Sequence, residues 1–172
     1  MAKAPDSNGF NMNYDASSLA IVIVNYNSWS DLIECIESVY SSSAEGFKVI
    51  VCDNASADQS VEKLLDWVDG KLELSFGGPQ KFTGYTERKP ESYLYITPDG
   101  KEKGDASSSL IVMETGGNLG FAGGNNVGLR YGLDNTECEY FWLLNADTTI
   151  KPDTIEHLLD RMKEDPKIGL CG

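Results

Sequence analysis

Four apolar runs divide this chain, and each stops at a cluster of small polar residues. Residues 19–24 are Leu, Ala, Ile, Val, Ile and Val, and Asn25-Tyr26-Asn27-Ser28 follow. Residues 49–52 give way to Asp53-Asn54-Ala55-Ser56. Residues 110–113 lead into a stretch rich in glycine and asparagine, from Gly116 to Asn126. Residues 140–144 end at Asn145-Ala146-Asp147-Thr148. Near-continuous apolar runs rich in β-branched residues suit strands covered on both faces. Between them the spacing turns helical. Trp29, Leu32, Ile33, Ile36, Val39 and Tyr40 recur every three or four residues. Val61, Leu64, Leu65 and Val68 do the same over about residues 60–68, and Ile155, Leu158, Leu159 and Met162 form another stripe. Ser28 or Ser30 is placed to cap the first helix, and Asp58 or Ser60 the second. A further helix is expected near residues 125–133. The last should start at Pro152, a favourable first helical position, and end at Asp165-Pro166.

Strands alternating with helices predict an α/β fold with a mostly parallel sheet. In such a sheet, ligands bind outside the carboxyl ends of the strands. All four polar clusters should therefore meet at one edge, rich in hydroxyl, amide and carboxylate groups and exposed backbone N–H groups. Such an edge suits a polar, phosphorylated ligand with a metal.

The alternation breaks at Gly70. Residues 71–109 are rich in Gly, Pro, Lys, Glu and Ser, and Tyr93-Leu94-Tyr95-Ile96 before Thr97-Pro98-Asp99-Gly100 reads as a strand entering a turn. This is an insertion with a hairpin, too short and polar to hold its own core. Residues 1–18 read as a flexible leader without a signal-peptide core. The domain proper is residues 19–172. Ile168-Gly169-Leu170-Cys171-Gly172 reads as the start of another strand, which predicts an N-terminal portion of a longer protein.

The chain has 172 residues, enough for one domain with a real core. Its formal net charge of −13 argues against binding nucleic acid or anionic lipid, both of which call for Lys and Arg. No run approaches the roughly 20 apolar residues of a membrane span. Cys35, Cys52, Cys138 and Cys171 form no CxxC pair and are expected as free thiols in a reducing compartment. His157 is the only histidine, which leaves little for a zinc site or a Ser-His-Asp triad. It sits one position off an apolar stripe and is expected at the surface. Trp29, Trp67 and Trp142 are expected in the core.

Asp147, after the fourth run, is placed either to bind Mg²⁺ or Mn²⁺ or to make an Asx-turn. Such metals take one or two protein carboxylates, with phosphate oxygens and water completing the shell. Asp53 ends the second run, where a carboxylate can hold a ribose hydroxyl, accept from a base N–H or simply shape a turn. The Gly116–Gly128 stretch allows close backbone approach and opens a helix, whose N-terminus attracts phosphate. No GxxxxGK[ST] occurs, and no GxGxxG follows the first run, which excludes a P-loop and counts against a dehydrogenase.

Together the four clusters carry a resemblance. The chain resembles glycosyltransferase family two, of the GT-A fold, whose members use nucleotide-sugar donors. The matching stretches are Ile21-Val22-Ile23-Val24-Asn25-Tyr26-Asn27-Ser28, Val51-Cys52-Asp53-Asn54-Ala55-Ser56-Ala57-Asp58, Asn118-Leu119-Gly120-Phe121-Ala122-Gly123-Gly124-Asn125-Asn126-Val127-Gly128 and Trp142-Leu143-Leu144-Asn145-Ala146-Asp147-Thr148. They are most similar to the rhamnosyltransferase-type subgroup. The resemblance implies an inverting transferase with a UDP- or dTDP-linked donor and a glycan or lipid-linked acceptor. It implies that Val24, Asn25, Tyr26 and Asn27 lie beside the base and that Asp53, with Asn54, binds base or ribose. It further implies that Asn118, Gly120 and Asn125 shape the donor pocket and that Asp147 matches the last carboxylate of the DxD motif and holds the metal. Asn145 stands where the first carboxylate of that motif would be. The catalytic base is expected beyond Gly172. The implied location is cytoplasmic, at the inner membrane face. A non-catalytic nucleotide-sugar-binding module of the same fold is the alternative.

Overall fold

Each apolar run becomes a strand because its side chains find cover on both sides. The computed structural model of the protein describes residues 14–74 and 88–172. Its elements are β1 (Tyr14–Asp15), β2 (Leu19–Asn25), α1 (Trp29–Tyr40), β3 (Ala44–Glu45), β4 (Lys48–Asp53) and α2 (Ser60–Val68), followed by β5 (Leu94–Ile96), β6 (Glu102–Gly104), β7 (Leu110–Glu114), α3 (Gly120–Asn135), β8 (Tyr140–Asn145) and α4 (Thr154–Glu164). The main sheet runs β6-β5-β7-β4-β2-β8, and every pairing is parallel except β5 with β6. Side chains alternate across a strand. Ile21, Ile23, Val49, Val51, Leu110 and Val112 therefore join α1, α2 and α4 in one core cluster. Val22, Ile50, Cys52 and Ile111 lie in the other, against Val127 and Leu129 of α3.

The predicted convergence holds. Register pairs Asn25 with Asp53, Asp53 with Glu114, and Val24 with Asn145, so the polar clusters share the carboxyl edge.

Helix α3 lies close on the sheet because Gly124, Gly128 and Gly132, four residues apart, face it. A Cβ at Gly128 would come within 2.5 Å of a Val22 methyl and 2.9 Å of the Cys52 sulfur. Neither side chain can move cheaply, since Val22 is β-branched and fully buried. Gly128→Ala gains about 1 kcal/mol of helix propensity but incurs about 1–3 kcal/mol of overpacking. The expected result is a lower urea midpoint at an unchanged m-value.

Several expectations need correction. Helix α3 starts at Gly120, five residues before the predicted onset, and α4 starts at Thr154 rather than Pro152. Residues 14–18, assigned to the leader, belong to the fold. Tyr14 and Asp15 pair with Ala44 and Glu45, and Ala16 is fully buried. Within the insertion, β5 and β6 do form a hairpin, but β5 also extends the main sheet beside β7. The rest of the leader and residues 75–87 of the insertion lie outside the described residues. Residues 168–172 form no strand. They do not pair with β8, so its outer edge carries no ladder to them. The N-cap of α1 is Ser28, but its hydroxyl donates to Asp31 Oδ2 at 2.6 Å and caps no backbone amide. The N-cap of α2 is Gln59, in the left-handed region, while Asp58 Oδ1 accepts from Ser60 N at 3.1 Å.

All four cysteines are free, with Cys35 and Cys52 buried. His157 is exposed and pairs with Asp153 at 3.3 Å. Trp67 is buried, and Trp29 and Trp142 pack partly buried against the same core.

Candidate functional site

The loop after β4 turns sharply through Ala55, whose φ of 60° is uncommon for a residue with a Cβ. The turn brings Ser56 back over Asp53. Ser56 N donates to Asp53 Oδ1 at 2.8 Å, and Ser56 Oγ donates to Oδ2 at 2.7 Å. Asn25, fully buried at the end of β2, donates from Nδ2 to the same Oδ2 at 2.8 Å. That amide orientation is forced, because a carbonyl oxygen facing a carboxylate oxygen at this distance would be repelled. The loop after β2 is tied in by Asn27, also left-handed at φ 53°. Asn27 N donates to Ser56 Oγ at 2.9 Å, and Ala57 N donates to Asn27 Oδ1 at 2.7 Å. Asn25, Asn27, Asp53 and Ser56 thus form one network joining two loops.

Asn54 carries the network toward α3, donating to the Gly120 carbonyl at 3.0 Å. Gly120 is left-handed at φ 69°, and its N–H donates to Asn118 Oδ1 at 2.9 Å. Asn125 is buried and donates within α3 to the Phe121 carbonyl at 2.9 Å. Val24 is half-buried against Gly124, and Tyr26 is exposed.

Asn145 and Asp147 are exposed on the turn after β8. A hydrogen bond from Thr148 N to the Asn145 carbonyl at 3.1 Å closes that turn. Cys35 of α1 donates its thiol to the same carbonyl at 3.6 Å. Burial pushes that thiol up to about 12, so it stays protonated and able to donate. Two strand spacings, about 10 Å, separate the ends of β4 and β8 across the sheet. A nucleoside diphosphate with its base at one end and its phosphates at the other spans a distance of that order.

Beside Asp53 a cleft of about 430 Å³ opens between α2 and the β5–β7 strands. Asp53, Ser56, Glu114, Tyr93 and Tyr95 line it. Tyr95 donates to Glu114 Oε1. Burial, then that hydrogen bond, push the Tyr95 hydroxyl up to about 12. Sequence reasoning did not single out Ser56, Glu114 or Cys35. Ser56 sits inside the matched motif, which was the available signal; Cys35 had none.

No group of three His, Cys, Asp or Glu residues that could hold a metal occurs among the described residues. Asp147 alone would offer a metal one carboxylate. That donor set fits Mg²⁺ or Mn²⁺ only where a bound diphosphate and water complete the shell.

The chain is similar to the low-salt glycan biosynthesis hexosyltransferase Agl10 of Haloferax volcanii, 26% identical over 140 residues, which are 81% of this chain and 31% of that protein. Among solved structures it is similar to TarS of S. aureus, residues 1–349, with a TM-score of 0.55 and 18% identity over 86% of this chain and 32% of that one. The same protein in complex with UDP-GlcNAc matches at a TM-score of 0.55 and 19% identity, covering 86% of this chain and 31% of that one. The likeness to TarS shows the GT-A fold. The chain spans about a third of the length of these relatives. The family model for Glycosyl transferase family 2 matches residues 20–78 and 101–172, passing over most of the insertion. With both strand-end loops and the turn after β8 inside those two segments, the chain belongs to glycosyl transferase family 2.

Proposed function

We propose that this chain is the donor-binding part of an inverting glycosyltransferase. It takes a UDP- or dTDP-linked hexose, rhamnose among them, for transfer to a glycan or lipid-linked acceptor at the cytoplasmic face of a membrane. The observation that carries this reading is the Asp53 carboxylate, held in one orientation at the end of β4 and two strands from Asp147. Two names support it. Agl10 is described as a glycan biosynthesis hexosyltransferase, and TarS was crystallised with UDP-GlcNAc. Among the described residues no helix is long and apolar enough to cross a membrane.

In this reading, Asp53 accepts an N–H of the base, with Val24, Asn25, Tyr26 and Asn27 forming the adjacent wall. Asn118 and Asn54 hold the backbone around Gly120, so the first-turn N–H groups of α3 face the donor phosphates. Asn125 keeps that first turn closed from within. Asp147 would hold Mg²⁺ or Mn²⁺, which as a Lewis acid offsets charge developing on the leaving diphosphate. Asn145 orients the donor with its neutral amide.

A thermal-shift panel of UDP, dTDP and GDP and their sugars, with and without Mn²⁺, tests the proposal. A ligand that binds only the folded state, at a hundredfold excess over its Kd, stabilises by about 2.7 kcal/mol. The expected result is a manganese-dependent rise in Tm with UDP or dTDP compounds. No rise with any of them would overturn the reading. The exposed amide of Asn145, in place of a carboxylate, favours a second reading, a binding module without turnover. Donor binding without release of nucleoside diphosphate, in a full-length protein supplied with acceptor, would support that module.

A further inference from the structure

The insertion adds a strand to the sheet and leaves a cleft beside it. β5 pairs outside β7, and its side chains alternate. Leu94 and Ile96 are buried in the core on the α3 face, so Tyr93 and Tyr95 project on the α2 face, where they pack half-buried against the other core. The cleft of about 430 Å³ lies between them and α2. Its lining follows α2 from Gln59, at the N-cap, to Asp69, at the C-cap, a run of about 15 Å. A base held at Asp53 takes only the end at the carboxyl edge. From Asp53 the proposed diphosphate runs toward β8, and β5 lies the other way across the sheet. Both tyrosines fall in residues 79–100, which the family match passes over, so the insertion supplies this wall of the cleft.

Among the described residues lining the cleft, Lys71 is the only cation, and it is paired with Asp69 at 2.7 Å and Asp66 at 3.7 Å. A phosphate or carboxylate would meet Glu62 and Glu114 with no cation left to receive it. The Tyr93 hydroxyl, the Gln59 amide and the Glu62 carboxylate make no hydrogen bond or ion pair with a described residue. Glu114 spends Oε1 on the Tyr95 hydroxyl and keeps Oε2. Uncommitted acceptors thus stand beside the rings of two half-buried tyrosines. The ligand that matches has many hydroxyl donors, an apolar ring face and no negative charge. We propose that this cleft is a subsite for a neutral saccharide, whose hydroxyls donate to the carboxylates and whose apolar face lies on the tyrosine rings. The saccharide is a part of the acceptor glycan remote from the reacting hydroxyl, because the cleft lies on the far side of Asp53 from Asp147; this assignment to the acceptor rests on the proposed transfer reaction.

The test is a heteronuclear NMR titration of the chain with maltose, cellobiose and chitobiose, with glucuronic acid as the anionic control and UDP with Mg²⁺ in a separate sample. At least one disaccharide should shift the amides of Gln59, Glu62, Tyr93 and Tyr95 with a Kd of about 1 mM, and glucuronic acid should not. Tyr93→Ala should weaken that binding about tenfold and leave UDP binding unchanged, while Tyr93→Phe, which keeps the ring, should retain most of it. Glu62 is exposed on α2, so Glu62→Ala should fold normally and still weaken the saccharide several-fold, which keeps the test open if Tyr93→Ala does not fold. No disaccharide response, a response away from the cleft, or an equal response to glucuronic acid would overturn the inference. UDP shifts at Asn25 and Asp53 in any of those cases would leave the donor reading standing. A saccharide response at the cleft with no UDP response would uphold the subsite and remove the donor reading, and with it the assignment to an acceptor.

Discussion

Asp147→Ala should abolish manganese-dependent binding of a nucleoside diphosphate while leaving the fold intact. Asp147 is exposed on a turn, and its side chain makes no hydrogen bond or ion pair with a described residue, so its loss costs little stability. It is also the one carboxylate in the turn of residues 145–148, because position 145 is an amide. A site with two acidic ligands keeps some affinity when one is removed; this one has no reserve. Removing even an outer-shell partner of a metal typically costs roughly 10–100-fold in affinity, and loss of the sole protein carboxylate should exceed that. Calorimetry with UDP and Mn²⁺ reads the effect, and the Tm of the unliganded variant supplies the control. Unchanged manganese-dependent binding would remove the metal assignment.

Asp53→Ala should do the reverse and damage the fold as much as the site. Asp53 is 2% exposed and accepts three hydrogen bonds, from Asn25 Nδ2 and from the N–H and hydroxyl of Ser56. An alanine leaves those donors facing a space with no acceptor. Each buried donor left unsatisfied costs about 1–3 kcal/mol, and Ser56 Oγ can still receive the Asn25 amide. The net loss should be about 2–5 kcal/mol, since only part of the network can re-pair. The loops also lose what holds Asn27 and Ala55 in left-handed conformations. Asp53→Asn keeps one acceptor oxygen and should lose roughly half as much. Urea unfolding compares the two. An alanine variant as stable as wild type would mean that the network does not hold the loops.

The sheet was legible in the sequence because its central strands are covered on both faces. The apolar run of β2 is short, β-branched and bounded by polar residues, which marks a strand covered on both faces, and its polar end marks the ligand edge. β5 was legible only as half of a hairpin. Tyr93 to Ile96 is a short run in a polar context, and nothing local states that it joins β7. The early start of α3 was hidden by its own sequence. Gly120, Gly123 and Gly124 are poor helix formers, yet tertiary contact overrides propensity, since a side chain at Gly124 would collide with Val24. The same glycines had suggested a phosphate loop, and Gly124 also packs against β2. Tyr14 and Asp15 were invisible because a two-residue strand exists only through its partner in β3.

Within the site, Asp53 and Asn25 were found by their place at the ends of strands. Ser56 was not, because its role depends on a left-handed turn at Ala55, a residue that gives no warning of it. Cys35 was read only as a free thiol. Its bond to the Asn145 carbonyl, 110 residues away, follows from α1 lying under the turn after β8. Backbone register tells which strands meet, while hydrogen bonds between loops depend on how those loops close.

The most direct measurement is a crystal structure of this chain grown with UDP and Mn²⁺, with data collected to show the manganese by anomalous scattering. The account predicts the base in hydrogen-bond contact with Asp53 Oδ1 and the manganese between Asp147 and the diphosphate. A nucleotide bound elsewhere, or manganese away from Asp147, would contradict it.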